Sequence, residues 1–129
     1  MMRMILLRSI FTWLLVLVAV PAIASGEDTY KAVCATCHAT GVANAPKLGD
    51  AAKWAPLIAE GQVPLTAHGY VGVRGMPPKG GKPDLTLEGF SEALNYMVNQ
   101  SGGNWKKPNA KMLKDMQAEI AKLHKSGKH

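Results

Sequence analysis

The sequence of 129 residues contains little cysteine, few aromatic residues and a modest amount of charge. Two cysteines cannot form a disulfide-dense scaffold, and aromatic residues make up only 6% of the chain. Charged residues amount to 19% and hydrophobic residues to 47%, which excludes wholesale disorder and a protein with many membrane spans. The length suits a single domain. Eight prolines and thirteen glycines then predict short elements joined by many turns.

Residues 1–24 have the three parts of a secretory signal peptide. Two arginines precede an apolar stretch over 10–20, and Ala22-Ile23-Ala24 supplies the small residues of a cleavage site. The uncharged segment 9–24 is 16 residues long, which is less than the roughly 20 residues needed to span a bilayer. The sequence therefore predicts export to the periplasm, with a mature chain that begins at Ser25. An uncleaved membrane anchor is the alternative.

Both cysteines lie in one motif, Cys34-Ala35-Thr36-Cys37-His38. A thioredoxin-like redox pair needs a βαβ context that the flanking sequence lacks, and a zinc site needs two further ligands that the other three histidines do not offer. Cys-x-x-Cys-His is also the motif of covalent c-type haem attachment. On a helix its positions are i, i+3 and i+4, so two thiols and one imidazole share a face. The motif therefore predicts one haem c, with Cys34 and Cys37 as thioethers and His38 on the iron.

Around this motif the sequence resembles the bacterial class I cytochromes c, closest to the cytochrome c5 group. The segments that carry the resemblance occur in family order, and they are Gly26-Glu27-x-x-Tyr30, Cys34–Gly41, Ala45–Asp50, Trp54-Ala55-Pro56, Met76–Gly81 and the helix with Tyr96-Met97. The resemblance spans about residues 26–100. It implies an all-α domain of four to five short helices around one buried haem. It also implies single-electron transfer, with no enzyme activity.

The second axial ligand of the haem iron is predicted to be Met76, because electron-transfer haems usually have two strong axial ligands. Met76 lies in Arg74-Gly75-Met76-Pro77-Pro78, where the prolines favour a stiff extended loop and Gly75 allows a close approach to a flat macrocycle. The competing candidates are Met97, Met112, Met116 and His68. Met97 falls on a helical apolar stripe and is predicted to be core, whereas His68 is predicted to be a surface or helix-end histidine. The other two methionines lie outside the resemblance.

Caps and breakers predict the helices of this domain. A first helix is expected over about 27–35, and Asp50 is expected to cap a short helix that Gly61 closes. Another short helix is expected after Pro64. Thr86 is predicted to be the N-cap of the longest core helix.

The excess positive charge lies in residues 101–129, the predicted C-terminal extension, while residues 25–100 form the predicted haem domain. The extension has seven lysines against Asp115 and Glu119, and its apolar residues fall near one helical face. Two uses stay open for this basic amphipathic helix. It binds an acidic redox partner or an anionic membrane surface, or it packs on the haem domain. We expect it to steer docking and not to tune the haem.

The predicted function is therefore that of an electron carrier between redox proteins. A small haem enzyme or sensor of the peroxidase type is the alternative, but it needs an open sixth site on the iron, and Met76 argues against one. A cytochrome subunit of a larger oxidoreductase is a further alternative. Nucleic acid is not an expected partner in an exported compartment, and a monomer is favoured.

Overall fold

The computed structural model describes residues 24–127 and Ala19, so the predicted signal peptide lies almost wholly outside the described residues. The helices are α1 (Gly26–Thr29), a π-helical turn (Tyr30–Cys34), α2 (Ala35–His38), α3 (Ala51–Ile58), α4 (Gln62–Val71), α5 (Leu87–Asn99) and α6 (Ala110–Ser126), with short 3-10 turns at Val42–Asn44 and Pro78–Gly81. The described range contains no β-strand, which confirms the predicted all-α fold. It also contains no helix that is both long enough and apolar enough to cross a membrane.

Side-chain caps begin the helices at the predicted places. Asp50 Oδ1 accepts a hydrogen bond from the backbone N–H of Lys53 at 3.2 Å, and Thr86 Oγ1 accepts one from Gly89 at 3.1 Å. At α1, Ser25 forms a capping box with the residue three positions later. Each cap satisfies backbone N–H groups that the first turn of a helix leaves without a partner.

The helical boundaries differ from the predictions in two places. The first helical segment continues to His38 and contains a π-helical turn, which the sequence pattern did not indicate. Gly61 does not close α3, because α3 ends at Ile58 and Gly61 is instead the residue before α4, with φ of 98°. Consequently α4 begins before Pro64, which lies in its first turn, where the missing N–H of proline has no helical partner to lose.

The first helical segment and α5 cross at very short distance. A Cβ atom added to Gly26 would collide with the backbone carbonyl of Glu92. Beside this crossing the rings of Tyr30 and Tyr96 lie 5.5 Å apart, and Tyr30 is 6% exposed. The two helices therefore pack closely together on one side of the main core, and the absence of a side chain at Gly26 sets their separation.

The C-terminal extension packs on the rest of the described chain, chiefly through the contact of α6 with α4. Met116 and Ala67 are fully buried, and Leu123 packs with Val71 in a second apolar cluster. The apolar stripe of α6 is thus covered by α4. This arrangement leaves the lysines of α6 on the outside.

We expect Gly26→Ala to lower the free energy of unfolding by about 1–3 kcal/mol, the usual cost of overpacking a tight contact. The added methyl group must push α1 away from α5. Chemical denaturation of the haem-loaded protein measures the loss. Glu27→Ala, one residue away and exposed, is the control and should cost only about 0.5 kcal/mol, because it removes no more than the exposed ion pair with Lys31. Equal effects of the two substitutions would contradict the close crossing.

Candidate functional site

One cavity of about 880 Å³ brings the four predicted haem-binding residues together. Its volume lies within the range of about 300–1,000 Å³ that is common for ligand and cofactor pockets. Three of the residues come from the first helical segment and one from the loop after α4. They are Cys34, Cys37, His38 and Met76. The lining is otherwise mainly apolar and includes Trp54, Phe90 and Leu94.

A hydrogen bond from Nδ1 orients the His38 ring. Its side chain is buried, and its Nδ1 lies 2.8 Å from the carbonyl oxygen of Pro46. A carbonyl oxygen can only accept a hydrogen bond, so Nδ1 carries the proton. Nε2 is then left with a lone pair, which is the tautomer that a metal-binding histidine needs.

Trp54 holds the segment that contains this acceptor. The indole Nε1–H donates to the carbonyl of Lys47 at 2.8 Å, and the N–H of Leu48 donates to the carbonyl of His38 at 2.8 Å. The Trp54 side chain is buried, and its ring centroid lies 6.1 Å from that of the imidazole. The sequence does not predict this bond, because an indole–carbonyl contact leaves no mark in residue spacing.

Cys34 and Cys37 do not form a disulfide with each other. Burial raises the pKa of the Cys34 thiol to about 11, so this thiol is protonated at neutral pH. A reactive Cys-x-x-Cys redox pair depends instead on a thiol with a lowered pKa. The shift of the Cys34 pKa is in the opposite direction.

A tight turn presents Met76. Its backbone N–H donates to the carbonyl of Val73 at 2.9 Å, and the N–H of Val73 donates back to the carbonyl of Met76 at 3.1 Å. Inside this turn Arg74 has φ of 51°, a left-handed conformation that costs about 1–2 kcal/mol for a residue with a Cβ. At Gly72, where φ is 99°, a Cβ would come within 2.9 Å of the backbone nitrogen of Pro78. Strain of this kind concentrates where a loop must hold one side chain in position.

The other candidates for the second ligand of the haem iron have different surroundings. Met97 is buried in the main core, as predicted, although it also lines the cavity. His68 is partly exposed near the end of α4 and lines the cavity too, with its Nδ1 3.2 Å from Glu60 Oε2. Met112 and Met116 lie on α6 and do not line this cavity.

Comparison with known proteins gives consistent matches. A family model described as "Cytochrome C oxidase, cbb3-type, subunit III" matches residues 21–97. Cytochrome c-555 of Chlorobaculum thiosulfatiphilum is 51% identical over 82 residues, which cover 60% of this chain and 95% of that protein. Cytochrome c5 of Azotobacter vinelandii is 39% identical over 75 residues, which cover 57% of this chain and 90% of that protein.

A solved structure is also similar. It is the cytochrome c in a crystal structure of an electron transfer complex of nitrite reductase with cytochrome c. The sequences are 43% identical, and the superposition has a TM-score of 0.56 over 59% of this chain and 93% of that chain. The matched part of the chain corresponds in extent to the haem domain that the sequence predicts.

We expect Trp54→Phe to lower the free energy of unfolding of the haem-loaded protein by about 1 kcal/mol, because the carbonyl of Lys47 loses its buried donor. Denaturant unfolding followed through the haem absorption measures this loss. Trp105→Phe is the matched control, since Trp105 joins Asn99 through its backbone N–H and carbonyl, which the substitution keeps. Equal losses in the two variants would mean that ring size, and not the indole bond, matters.

Proposed function

This chain belongs to the class I c-type cytochromes, close to cytochrome c5, and is a monohaem single-electron carrier; we propose that its haem c is held by the four residues that converge on the cavity. Cys34 and Cys37 provide the thioether links. His38 and Met76 are the axial ligands of the iron. The observation that carries this proposal is that two separate segments direct all four residues to one cavity.

The residues around the cavity fit a haem in chemistry as well as in size. The hydrogen bond to Pro46 leaves the metal-binding nitrogen of His38 free of a proton. At Gly69 a Cβ would lie 2.9 Å from Phe90 Cζ and 3.9 Å from Met76 Cε, so the absence of a side chain there lets Phe90, which also lines the cavity, pack directly on α4 beside Met76.

When bound, haem c supplies a one-electron change of its iron. The chain contributes a covalent tether through the two cysteines and an imidazole in a set orientation. It also contributes a thioether, the ligand type that raises the reduction potential. With both axial positions taken by protein, no position remains for a substrate, which supports the view that the chain is not an enzyme. The peroxidase-like alternative requires that Met76 does not bind the iron.

We further propose that residues 1–24 are a cleaved signal peptide, that residues 25–100 are the haem domain and that the protein works in the periplasm. The capping box at Ser25 supports this boundary, because it makes Gly26 the first residue of the first helix of the domain. The extension 101–129 is then the segment added after the haem domain. A monomer is proposed, as no feature of the described chain requires a second copy.

The proposed partner is a redox protein with an acidic docking surface. The related cytochrome c that binds nitrite reductase supports a protein partner. On α6, Lys114 and Lys125 are exposed, and neither takes part in an ion pair within residues 24–127. The membrane alternative is weaker, because the apolar stripe of α6 is occupied by α4. Only the charged face then remains for contact with lipid.

The absorption spectrum of the oxidised protein tests the ligand assignment. We expect the weak far-red band of methionine on ferric haem iron in the wild type and its loss in Met76→Ala, because the thioether is then gone. Met97→Leu and His68→Gln are the controls, since both residues line the same cavity. Both control variants should keep the band. A wild type without the band, or a Met76→Ala variant that retains it, would refute the assignment.

Oxidation by ferricyanide, an anionic probe that stands in for an acidic surface, tests the role of α6. Lys114→Glu and Lys125→Glu should each slow oxidation about threefold at 0.01 M ionic strength, where charges act over about 30 Å, and have little effect at 1 M. Lys53→Glu on α3 makes the same change of net charge and is the control. If it slows the reaction as much as the α6 variants, net charge alone is responsible.

A further inference from the structure

We propose that the C-terminal helix α6 is a wall of the haem cavity, and that Leu123 keeps water from the haem and so raises its reduction potential. This inference rests on the proposed haem site. It differs from the expectation that the extension does not tune the haem. Leu123 is a positioning and shielding residue, since it acts through the environment of the haem and not as a ligand.

The position of Leu123 is the first observation. Its side chain is 8% exposed, packs with Ala67 and Val71 of α4, and lines the same cavity as the four proposed haem-binding residues. Within the described chain, it is the sole residue beyond Met97 that lines this cavity. The apolar wall is therefore completed by an element that follows the haem domain in sequence.

The second observation is that α6 is held in place at several points. Its N-cap Asn109 accepts a hydrogen bond from Met112 N–H at 2.9 Å, and Gly127 ends it in a left-handed conformation. The segment before it is tied down too, because Gln62 Nε2 donates to the Lys106 carbonyl at 3.0 Å. The caps define the two ends of α6, and the bond from Gln62 joins the segment before it to α4, the helix against which Leu123 packs.

Further contacts anchor the connection between α5 and α6. The Ser101 hydroxyl accepts a hydrogen bond from the N–H of Gly49 at 2.9 Å, and Lys107 pairs with Glu92 of α5 at 2.8 Å. Asn99 makes reciprocal hydrogen bonds with the backbone of Trp105, at 2.9 and 2.7 Å. These contacts join the extension to two parts of the haem domain, the loop before α3 and the helix α5.

The third observation is that the match to the family model ends at residue 97, before α6 begins. Cytochrome c-555 of Chlorobaculum thiosulfatiphilum is covered over 95% of its length by an alignment that takes only 60% of this chain. The wall formed by α6 is therefore an addition to the shared domain. Its effect on the haem is a property of this chain.

The physical effect follows from charge and solvent. The ferric haem carries one more positive charge than the ferrous haem, and a charged form is disfavoured where water is excluded. An apolar side chain that excludes water therefore destabilises the ferric state, and the reduction potential rises. Shortening Leu123 opens the wall and should lower the potential.

Redox titration of the full-length, haem-loaded protein against a mediator of known potential tests the proposal. Leu123→Ala should shift the equilibrium with the mediator about threefold toward the ferric form, which corresponds to about 30 mV at 59 mV per tenfold change. Leu123→Met keeps most of the apolar volume and should restore the wild-type value. Leu123→Val, a milder change, should give a smaller shift in the same direction. It replaces Leu123→Ala in the titration if that variant fails to fold.

Met116→Ala is the matched control, because Met116 is fully buried on the same helix but does not line the cavity. It should lower the denaturation midpoint as Leu123→Ala does while leaving the potential unchanged. An unchanged potential in Leu123→Ala and Leu123→Val, or equal shifts in Leu123→Ala and Met116→Ala, would overturn the proposal. Haem that separates from the chain on denaturation would instead refute the proposed covalent haem site.

Discussion

The hydrogen bond between the His38 imidazole and the Pro46 carbonyl is the contact on which the rest of the site depends. It decides which ring nitrogen is left to bind the iron in the proposed haem site. The acceptor is held in turn, because the Trp54 indole donates to the next carbonyl along the chain. A change in α3 would thus act on the proposed ligand His38 through one short segment of backbone.

The haem explains why so small a chain has such a large cavity. The helices pack around the haem, which supplies apolar mass that a chain of this length cannot provide from its own side chains. Away from this cavity, close contacts between helices stabilise the fold. At Gly26 the backbone of one helix touches that of another, and at Met116 the extension adds a fully buried side chain. The haem is therefore part of the hydrophobic core.

The helix α6 has two different faces. Its inner face is apolar and is covered by α4, and its outer face carries four exposed lysines against Asp115 and Glu119. On the two proposals for α6, the inner face would exclude water from the haem, while the outer face would set the field that a partner meets. Because both faces belong to one helix, a change in this helix can alter both the affinity for a partner and the environment of the haem.

Local interactions determined what the sequence alone could predict. The haem motif, the caps at Asp50 and Thr86 and the all-α fold depend on residues within a few positions of one another, and the structure has the caps and the fold as predicted. Tertiary structure decided the rest. The π-helical turn, the bond from Trp54 and the wall formed by Leu123 depend on contacts between segments that are distant in sequence or on backbone adjustments that no spacing encodes. An amphipathic pattern shows that α6 has an apolar face, but only packing shows that α4 and the haem cavity are what this face covers.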